Sequence, residues 1–338
     1  RAYRPQKWKE VLGQDHIVSV LEGSVKLGTF SHAYLFSGSR GTGKTSVARI
    51  FARAIGVSET DLYEIDAASN TGVDDIRALT ESVSTLPFES PYKVYILDEV
   101  HMLSKSAFNA FLKTLEEPPK HAIFILATTE LDKVPDTIIS RCQTFVFKKP
   151  SLQALKDVVL TIAKKEGYSL EASSAELIAL LGDGSFRDAQ GILQKVISAS
   201  SDKKITAEEV ERVTGAPKGE LVNNFLKAID AGDVSAGLST IRDAQTSNID
   251  APVYLKLVLH KLRVIMLLRA VPKMKETLKD EVSEHDLTFL GSLAEKKPSR
   301  LSSSSLATLL STYDSVVRSS IPFLPLELAF LDILEKKN

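Results

Sequence analysis

The chain has 338 residues, 43% hydrophobic and 25% charged, with 42 basic and 43 acidic side chains for a net charge of −1. That length predicts two or three domains with cores that need no covalent staples. The even charge excludes a basic arm for nucleic acid, so any DNA contact has to come from a local face or from several copies lining one channel.

Cys142 is the only cysteine, which excludes an intrachain disulfide and a Cys-rich zinc site and suits a reducing cytoplasm. No signal peptide is read at the N-terminus, and a start at Arg1 without methionine points to trimming. The most apolar stretch, Val253–Leu268, carries Lys256, His260, Lys261 and Arg263 and is too short and charged to span a bilayer. A cytoplasmic protein with no membrane partner is expected.

In chain order, residues 1–30 form an entry segment with a small apolar cluster, Trp8, Val11 and Leu12. Asp15 is expected to cap a helix over His16–Leu27. Ala33–Phe36 reads as a buried strand. Gly38-Ser39-Arg40-Gly41-Thr42-Gly43-Lys44-Thr45 fits G-x-x-x-x-G-K-[ST], and an amphipathic helix follows at once from Ser46. Strand, glycine loop and helix is the context this phosphate-binding motif requires. Tyr63–Ile65 is a short strand, and Asp74 or Asp75 starts a helix. Lys93–Leu97 is a central strand ending in Asp98-Glu99, and Lys105–Glu116 is a helix stopped by Glu117-Pro118-Pro119. Ala122–Ala127 is a buried strand ending at Thr128-Thr129. Ile138–Arg141 is a short helical turn, and Thr144–Phe147 a last strand. Alternating strands and helices give an α/β domain with a parallel sheet over residues 1–150.

After residue 150 the strands are expected to cease. Leu152–Lys165, Ala175–Leu181, Asp188–Ala199 and Ala207–Val213 read as four helices over residues 151–215, the third opened by a Ser185–Asp188 capping box. Residues 216–338 are helical again: Glu220–Ala231, Ser235–Ala244, Pro252–Ala270, Glu284–Leu293, Leu306–Val317 and Leu326–Lys336. Ser302–Ser305 reads as a loop or frayed helix start.

The motif chemistry converges on one sheet edge. Glycine-loop N–H groups and the helix N-terminus cradle phosphates. Lys44 reaches the β- and γ-phosphates, and Thr45 with Asp98 holds Mg²⁺. Glu99 polarises the attacking water; a solvated acidic pair is the alternative reading of Asp98-Glu99. Thr129, stronger than Thr128, reads as a hydroxyl sensing water or γ-phosphate, against a simple β-turn residue. Arg187 at a helix N-terminus is disfavoured by the dipole, which suggests that it reaches a γ-phosphate; an exposed arginine paired to Asp188 or Asp183 is the alternative. His101 reads as structural, and no histidine shows metal-ligand spacing.

Arg4-Pro5 with Gly13-Gln14, GSRGTGKT at 38–45, EIDAAS at 64–69, DEVHMLS at 98–104, FNAFLKTLEEPP at 108–119, ATTE at 127–130, ISRC at 139–142 and GSFRDA at 184–189 together resemble the bacterial clamp-loader ATPases. These are the gamma/tau subunits of DNA polymerase III holoenzyme. The resemblance implies an AAA+ fold: a nucleotide domain, a helical lid and an all-α collar that holds a pentamer. It implies an ATPase that opens the sliding clamp and loads it on primer-template DNA, with delta- and delta-prime-type subunits and copies of itself as partners. By position, Lys44 and Thr45 match Walker A, Asp98 and Glu99 Walker B, Thr129 sensor 1 and Arg187 sensor 2. Arg141 matches the arginine finger acting on the neighbouring subunit's ATP. Tyr3, Arg4, Pro5 and Val11 are implied near the adenine, and the nucleotide is implied to sit on Gly38 through Ser46, with Arg187 beside it.

Two features depart from the family. Many members carry a four-cysteine zinc module where Ile55–Asp61 bridges here, so no zinc is expected. The chain also ends after the collar, without the long tau-type extension. An archaeal or eukaryotic-type small loader subunit, a Holliday-junction motor and a non-hydrolysing scaffold subunit are the rival readings; the intact loop argues against the last.

Overall fold

The computed structural model describes residues 3–278, 282 and 284–335. The chain divides into two compact units, Arg1–Leu155 with Gly184–Asp188, and Lys156–Asp183 with Ala189–Asn338.

The first unit runs α1 (Asp15–Leu27), β1 (Ala33–Ser37), α2 (Lys44–Ala54), β2 (Leu62–Asp66), α3 (Val73–Val83), β3 (Lys93–Asp98), α4 (Lys105–Glu116), β4 (Ala122–Thr128), α5 (Asp136–Ile139) and β5 (Gln143–Val146). The strands form one parallel sheet in the order β2-β3-β4-β1-β5. Side chains alternate between its faces along each strand. Tyr34, Phe36, Ile96 and Ile125 join Ile17, Leu21, Val47 and Phe51 on the face covered by α1 and α2. Leu35, Tyr95, Leu97, Phe124 and Leu126 join Ile76, Leu79, Phe108 and Phe111 on the face covered by α3 and α4. Burial on both faces explains the near-continuous apolar runs of β1, β3 and β4. Each fully buried Phe or Leu contributes about 1.5–3 kcal/mol. From β1 the chain goes outward to β2 and returns through β3 and β4, whereas β5 lies on the other side of β1. The C-terminal end of β1 is therefore the topological switch point at which such sheets bind ligands.

All five expected strands and the helix over Lys105–Glu116 are present. Three local expectations need correction. Asp15 is the first helical residue, and the cap position is Gln14. Gln14 is fully buried, and its amide donates to the Lys148 carbonyl (2.8 Å) and accepts from the Lys148 N–H (3.1 Å). Those long-range bonds occupy the groups that a local cap would use. The α3 cap is Gly72, whose N–H donates to Asp75 at 3.1 Å, so Asp75 sits inside the helix. Helix α5 ends at Ile139, which leaves Arg141 beyond it.

The remaining elements are α6 (Leu152–Lys165), β6 (Ser169–Leu170), α7 (Ala172–Leu181), α8 (Phe186–Ala199), β7 (Lys204–Ile205), α9 (Ala207–Thr214), α10 (Gly219–Ala231), α11 (Val234–Thr246), α12 (Ala251–Ala270), α13 (Lys275–Leu278), α14 (Glu284–Glu295), α15 (Ser303–Arg318) and α16 (Leu324–Glu335). Strands do not cease at residue 150: β6 and β7 pair in parallel over two residues each. A two-residue strand has no period to read. Ser302 caps α15, donating its N–H to Ser305 Oγ (2.7 Å) and accepting the Ser305 N–H (3.3 Å), so the polar run is a helix start held by a pair of serines. Lys336, expected in the last helix, lies outside the described residues. The helical core of the second unit gathers Phe225, Tyr254, Phe323 and Phe330 in edge and tilted ring contacts. No helix among the described residues is long and apolar enough to cross a membrane.

Candidate nucleotide site

The loop between β1 and α2 curls at the switch point because its glycines allow it. Gly41 has φ +74°, and a Cβ there would lie 2.0 Å from Ser185 Oγ; a Cβ on Gly38 would lie 2.6 Å from the Phe147 carbonyl oxygen. Neither position accepts a side chain without displacement. Phe186 donates its N–H to the Gly41 carbonyl at 3.0 Å, so the first residues of α8 are hydrogen-bonded to the loop. Lys44 is buried at the start of α2 and donates to the carbonyls of Gly38 (2.7 Å) and Ser39 (3.0 Å). Burial pushes its pKa below the ordinary lysine value; Glu99 and Asp98 counteract this, and Arg187 adds to it. Thr42 Oγ1 donates to the Ser39 carbonyl at 2.9 Å. The Ser39 hydroxyl is buried with no hydrogen-bond partner. A buried orphan hydroxyl and a desolvated ammonium inside a cradle too tight for a Cβ fit a phosphate chain.

Next to the loop, Thr45 Oγ1 donates to Asp98 Oδ2 at 2.8 Å. Asp98 ends β3, and Glu99 follows in the left-handed region at φ 53°. A non-glycine residue there costs about 1–2 kcal/mol. The Thr129 hydroxyl, just past β4, donates to Glu99 Oε2 at 3.1 Å. Thr45, Asp98, Glu99 and Arg187 line one cleft of about 390 Å³, together with Arg4, Arg49, Glu64 and Asp66. Arg187 therefore faces carboxylates, which offset the unfavourable dipole at the N-terminus of α8. Among the described residues no group of three or more His, Cys, Asp or Glu converges as a metal site. Thr45 and Asp98 suit a hard cation that takes its other ligands from phosphate and water.

Apart from Arg4, the other expected residues are not among those that line this cleft. Val11 is buried in the core with Ile17 and Phe51, while Tyr3 and Pro5 are half-buried; of the four residues implied near the adenine, the cleft includes Arg4. Arg40 is exposed and Ser46 half-buried. Arg141 is turned onto its own chain, donating to Glu116 Oε1 (2.6 Å) and to the Thr137 carbonyl (2.7 Å). It is not among the cleft residues. Burial pushes the Cys142 thiol up to about 12.

Sequence reading missed Asp66, Glu64 and Arg49. Asp66 ends β2 in register with Asp98, so the shared strand-end position was the available signal. Arg49 and Glu64 form a two-pronged ion pair across α2 and β2, which spacing alone does not reveal.

A parallel five-stranded sheet with a glycine loop at its switch point and an acidic pair at the end of β3, with β4 between that strand and β1, defines a P-loop nucleotide-binding protein of the AAA+ class. The solved structure of the Holliday junction branch migration motor RuvB of Thermotoga maritima shares this fold, with a TM-score of 0.55 and 20% identity over 83% of this chain and all of that one. A family model described as "DNA polymerase III, delta subunit" matches residues 56–151. The DNA polymerase III subunit gamma of Buchnera aphidicola is 36% identical over 296 residues, 81% of this chain and 80% of that protein. The subunit tau of Bacillus subtilis is 38% identical over the whole chain, which spans 63% of that relative's length. The chain belongs to the DNA polymerase III gamma/tau subunit family.

Proposed function

We propose that the chain is the ATPase subunit of a bacterial replicative clamp loader, using ATP to open a sliding clamp and load it on primer-template DNA. The supporting observation is the convergence of Thr45, Asp98, Glu99 and Arg187 on one cleft beside a phosphate loop whose lysine is buried and charged against carbonyls. Lys44 exchanges those carbonyls for β- and γ-phosphate oxygens, which bind a cation more strongly. Thr45 and Asp98 would hold Mg²⁺, which neutralises charge on the phosphates. Glu99 takes the proton of the attacking water, oriented by the Thr129 hydroxyl. Arg187 stabilises charge on the γ-phosphoryl oxygens.

Residues 1–150 serve in this reading as the nucleotide domain, 151–215 as the lid and 216–338 as the collar that assembles a pentamer with delta- and delta-prime-type subunits. Arg141 acts on the neighbour's nucleotide, and adenine lies toward the entry segment that carries Tyr3, Arg4, Pro5 and Val11. Cytoplasmic placement and the lack of a zinc requirement belong to the same reading. The test is ATP turnover by the reconstituted complex with and without clamp and primed DNA. Stimulation by both together is expected. Turnover indifferent to clamp and DNA would remove clamp loading, and no turnover at all would favour the scaffold reading.

A further inference from the structure

His101 stands one turn after the acidic pair, its side chain only 7% exposed. Its Nδ1 is 3.0 Å from Thr128 Oγ1 and 3.5 Å from Glu99 Oε2, and its Nε2 is 3.3 Å from Glu130 Oε1. One imidazole thus bridges the residue that ends β4 and two carboxylates, one after β3 and one after β4. The oxygen of Glu99 that it approaches is the one that accepts the Thr129 hydroxyl. We infer that His101 is a positioning residue for Glu99, holding its carboxylate at Oε2 so that Oε1 takes the proton of water. This rests on the ATPase reading above.

The hydrogen bonds favour one neutral tautomer. Thr128 Oγ1 accepts the Glu130 N–H at 3.0 Å, which leaves its own proton to donate to Nδ1. Nε2 then carries the ring proton toward Glu130. In this state Nδ1 is taken up by the Thr128 hydroxyl and offers Glu99 Oε2 no proton at 3.5 Å, so the ring limits the carboxylate by its bulk while the Thr129 hydroxyl holds it by a hydrogen bond. That limit matters because the Glu99 backbone is in the left-handed region, and a strained residue stays put only where its surroundings over-determine it. The charged groups facing the ring are Glu99 and Glu130, with Lys133 bonded to Glu130 at 2.7 Å.

The experiment compares His101→Asn, His101→Gln and His101→Ala in the assembled complex. The asparagine amide reaches the Nδ1 position and keeps contact on the Thr128 and Glu99 side; the glutamine amide reaches the Nε2 position and keeps the Glu130 side. Expected are KM values for ATP within about twofold of wild type, kcat lower by about tenfold in the Gln and Ala variants, and recovery in the Asn variant, as for partial loss of a positioned base. Equal kcat in the Asn and Gln variants, or a loss that appears in KM rather than kcat, would overturn the assignment. Lys44→Ala and Glu99→Gln run alongside separate the two levels. If Glu99→Gln turns over normally, the reading of the site fails; if Glu99→Gln is dead and the His101 variants are normal, only His101 loses its role.

Discussion

The Lys44 ammonium donates to the carbonyls of Gly38 and Ser39, at 2.7 and 3.0 Å, within the loop that carries it. Two of its three donors are engaged by neutral acceptors, and phosphate oxygens bind the cation more strongly. Hydrogen bonds to charged groups are worth about 1.5–3 kcal/mol each. Lys44→Ala should therefore lower ATP affinity by about two orders of magnitude or abolish hydrolysis, with assembly unchanged by gel filtration. Unchanged affinity for a fluorescent ATP analogue would remove Lys44 from phosphate binding.

Glu99→Gln keeps the size of the side chain and the Thr129 contact but loses the base. ATP should stay bound while hydrolysis slows by about 10²–10⁴. Glu99→Gly should be equally inactive yet more stable than Glu99→Ala, which loses the same side-chain contacts, because glycine relieves the left-handed strain, worth about 1 kcal/mol. A melting temperature for Glu99→Gly below that of Glu99→Ala would mean that the backbone there is not strained.

Gly41 and Ser185 define a third test. Gly41→Ala puts a methyl group 2.0 Å from Ser185 Oγ and should displace the first residues of α8, which carry Arg187. The expected result is a loss of preference for ATP over ADP, resembling Arg187→Ala. Adding Ser185→Gly removes the obstructing side chain and should restore part of that preference, although it also removes the hydroxyl that accepts the Asp188 N–H at 3.2 Å. No difference between the single and double variants in the ATP/ADP affinity ratio would show that the contact does not govern Arg187.

Much of the site was legible because it is local. The strand, glycine loop and helix over Ala33–Ala54 are contiguous, and the acidic pair directly follows the apolar run of β3. What the sequence hid is long-range or satisfied by the backbone. Asp15 reads as the helix cap, yet Gln14 takes that position, with its amide bonded to Lys148, 134 positions away. His101 reads as structural until Thr128 and Glu130 arrive beside it from the next strand. Val11, implied near adenine by resemblance, also packs with Ile17 and Phe51, neighbours that the motif position does not reveal.

Asp61 supplies a pH test. It is fully buried, and its carboxylate accepts the N–H groups of Phe88 (2.6 Å), Glu89 (3.0 Å) and Ser90 (2.8 Å). Burial alone would raise its pKa, but the donors from Glu89, Phe88 and Ser90 outweigh burial and hold it at about 2. A carboxyl depressed in the folded state stabilises fully above its unfolded value near 4, and that contribution is lost as pH falls from about 4 to about 2. Asp61→Asn should destabilise the nucleotide domain by about 2–3 kcal/mol at neutral pH, because an amide nitrogen replaces one acceptor for buried donors. The gap from wild type in denaturant midpoint should narrow below about pH 4. A gap constant from pH 7 to about pH 2 would mean that Asp61 does not titrate in this window.

Arg141 and Glu116 form an ion pair at 2.6 Å on a partly exposed surface, with both side chains a third to a half accessible. Such a pair is worth about 0–1 kcal/mol, so a better anion displaces Glu116 at little cost. If that anion is the γ-phosphate on the neighbouring subunit, the arginine stabilises charge that builds in the transition state, and trans-acting fingers contribute about 10³–10⁵ in rate. Arg141→Ala should then spare ATP affinity and assembly while depressing turnover next door, and an unassembled chain should bind ATP but hydrolyse it slowly. Mixing Lys44→Ala chains with Arg141→Ala chains decides the matter. A Lys44→Ala chain keeps its Arg141 and can serve an Arg141→Ala chain, which keeps its Lys44, so the mixed complex should hydrolyse ATP where each variant alone fails. Activity that tracks only chains with both residues intact would place Arg141 in cis, and Glu116→Gln, which frees the arginine without removing it, should then leave turnover unchanged in every mixture.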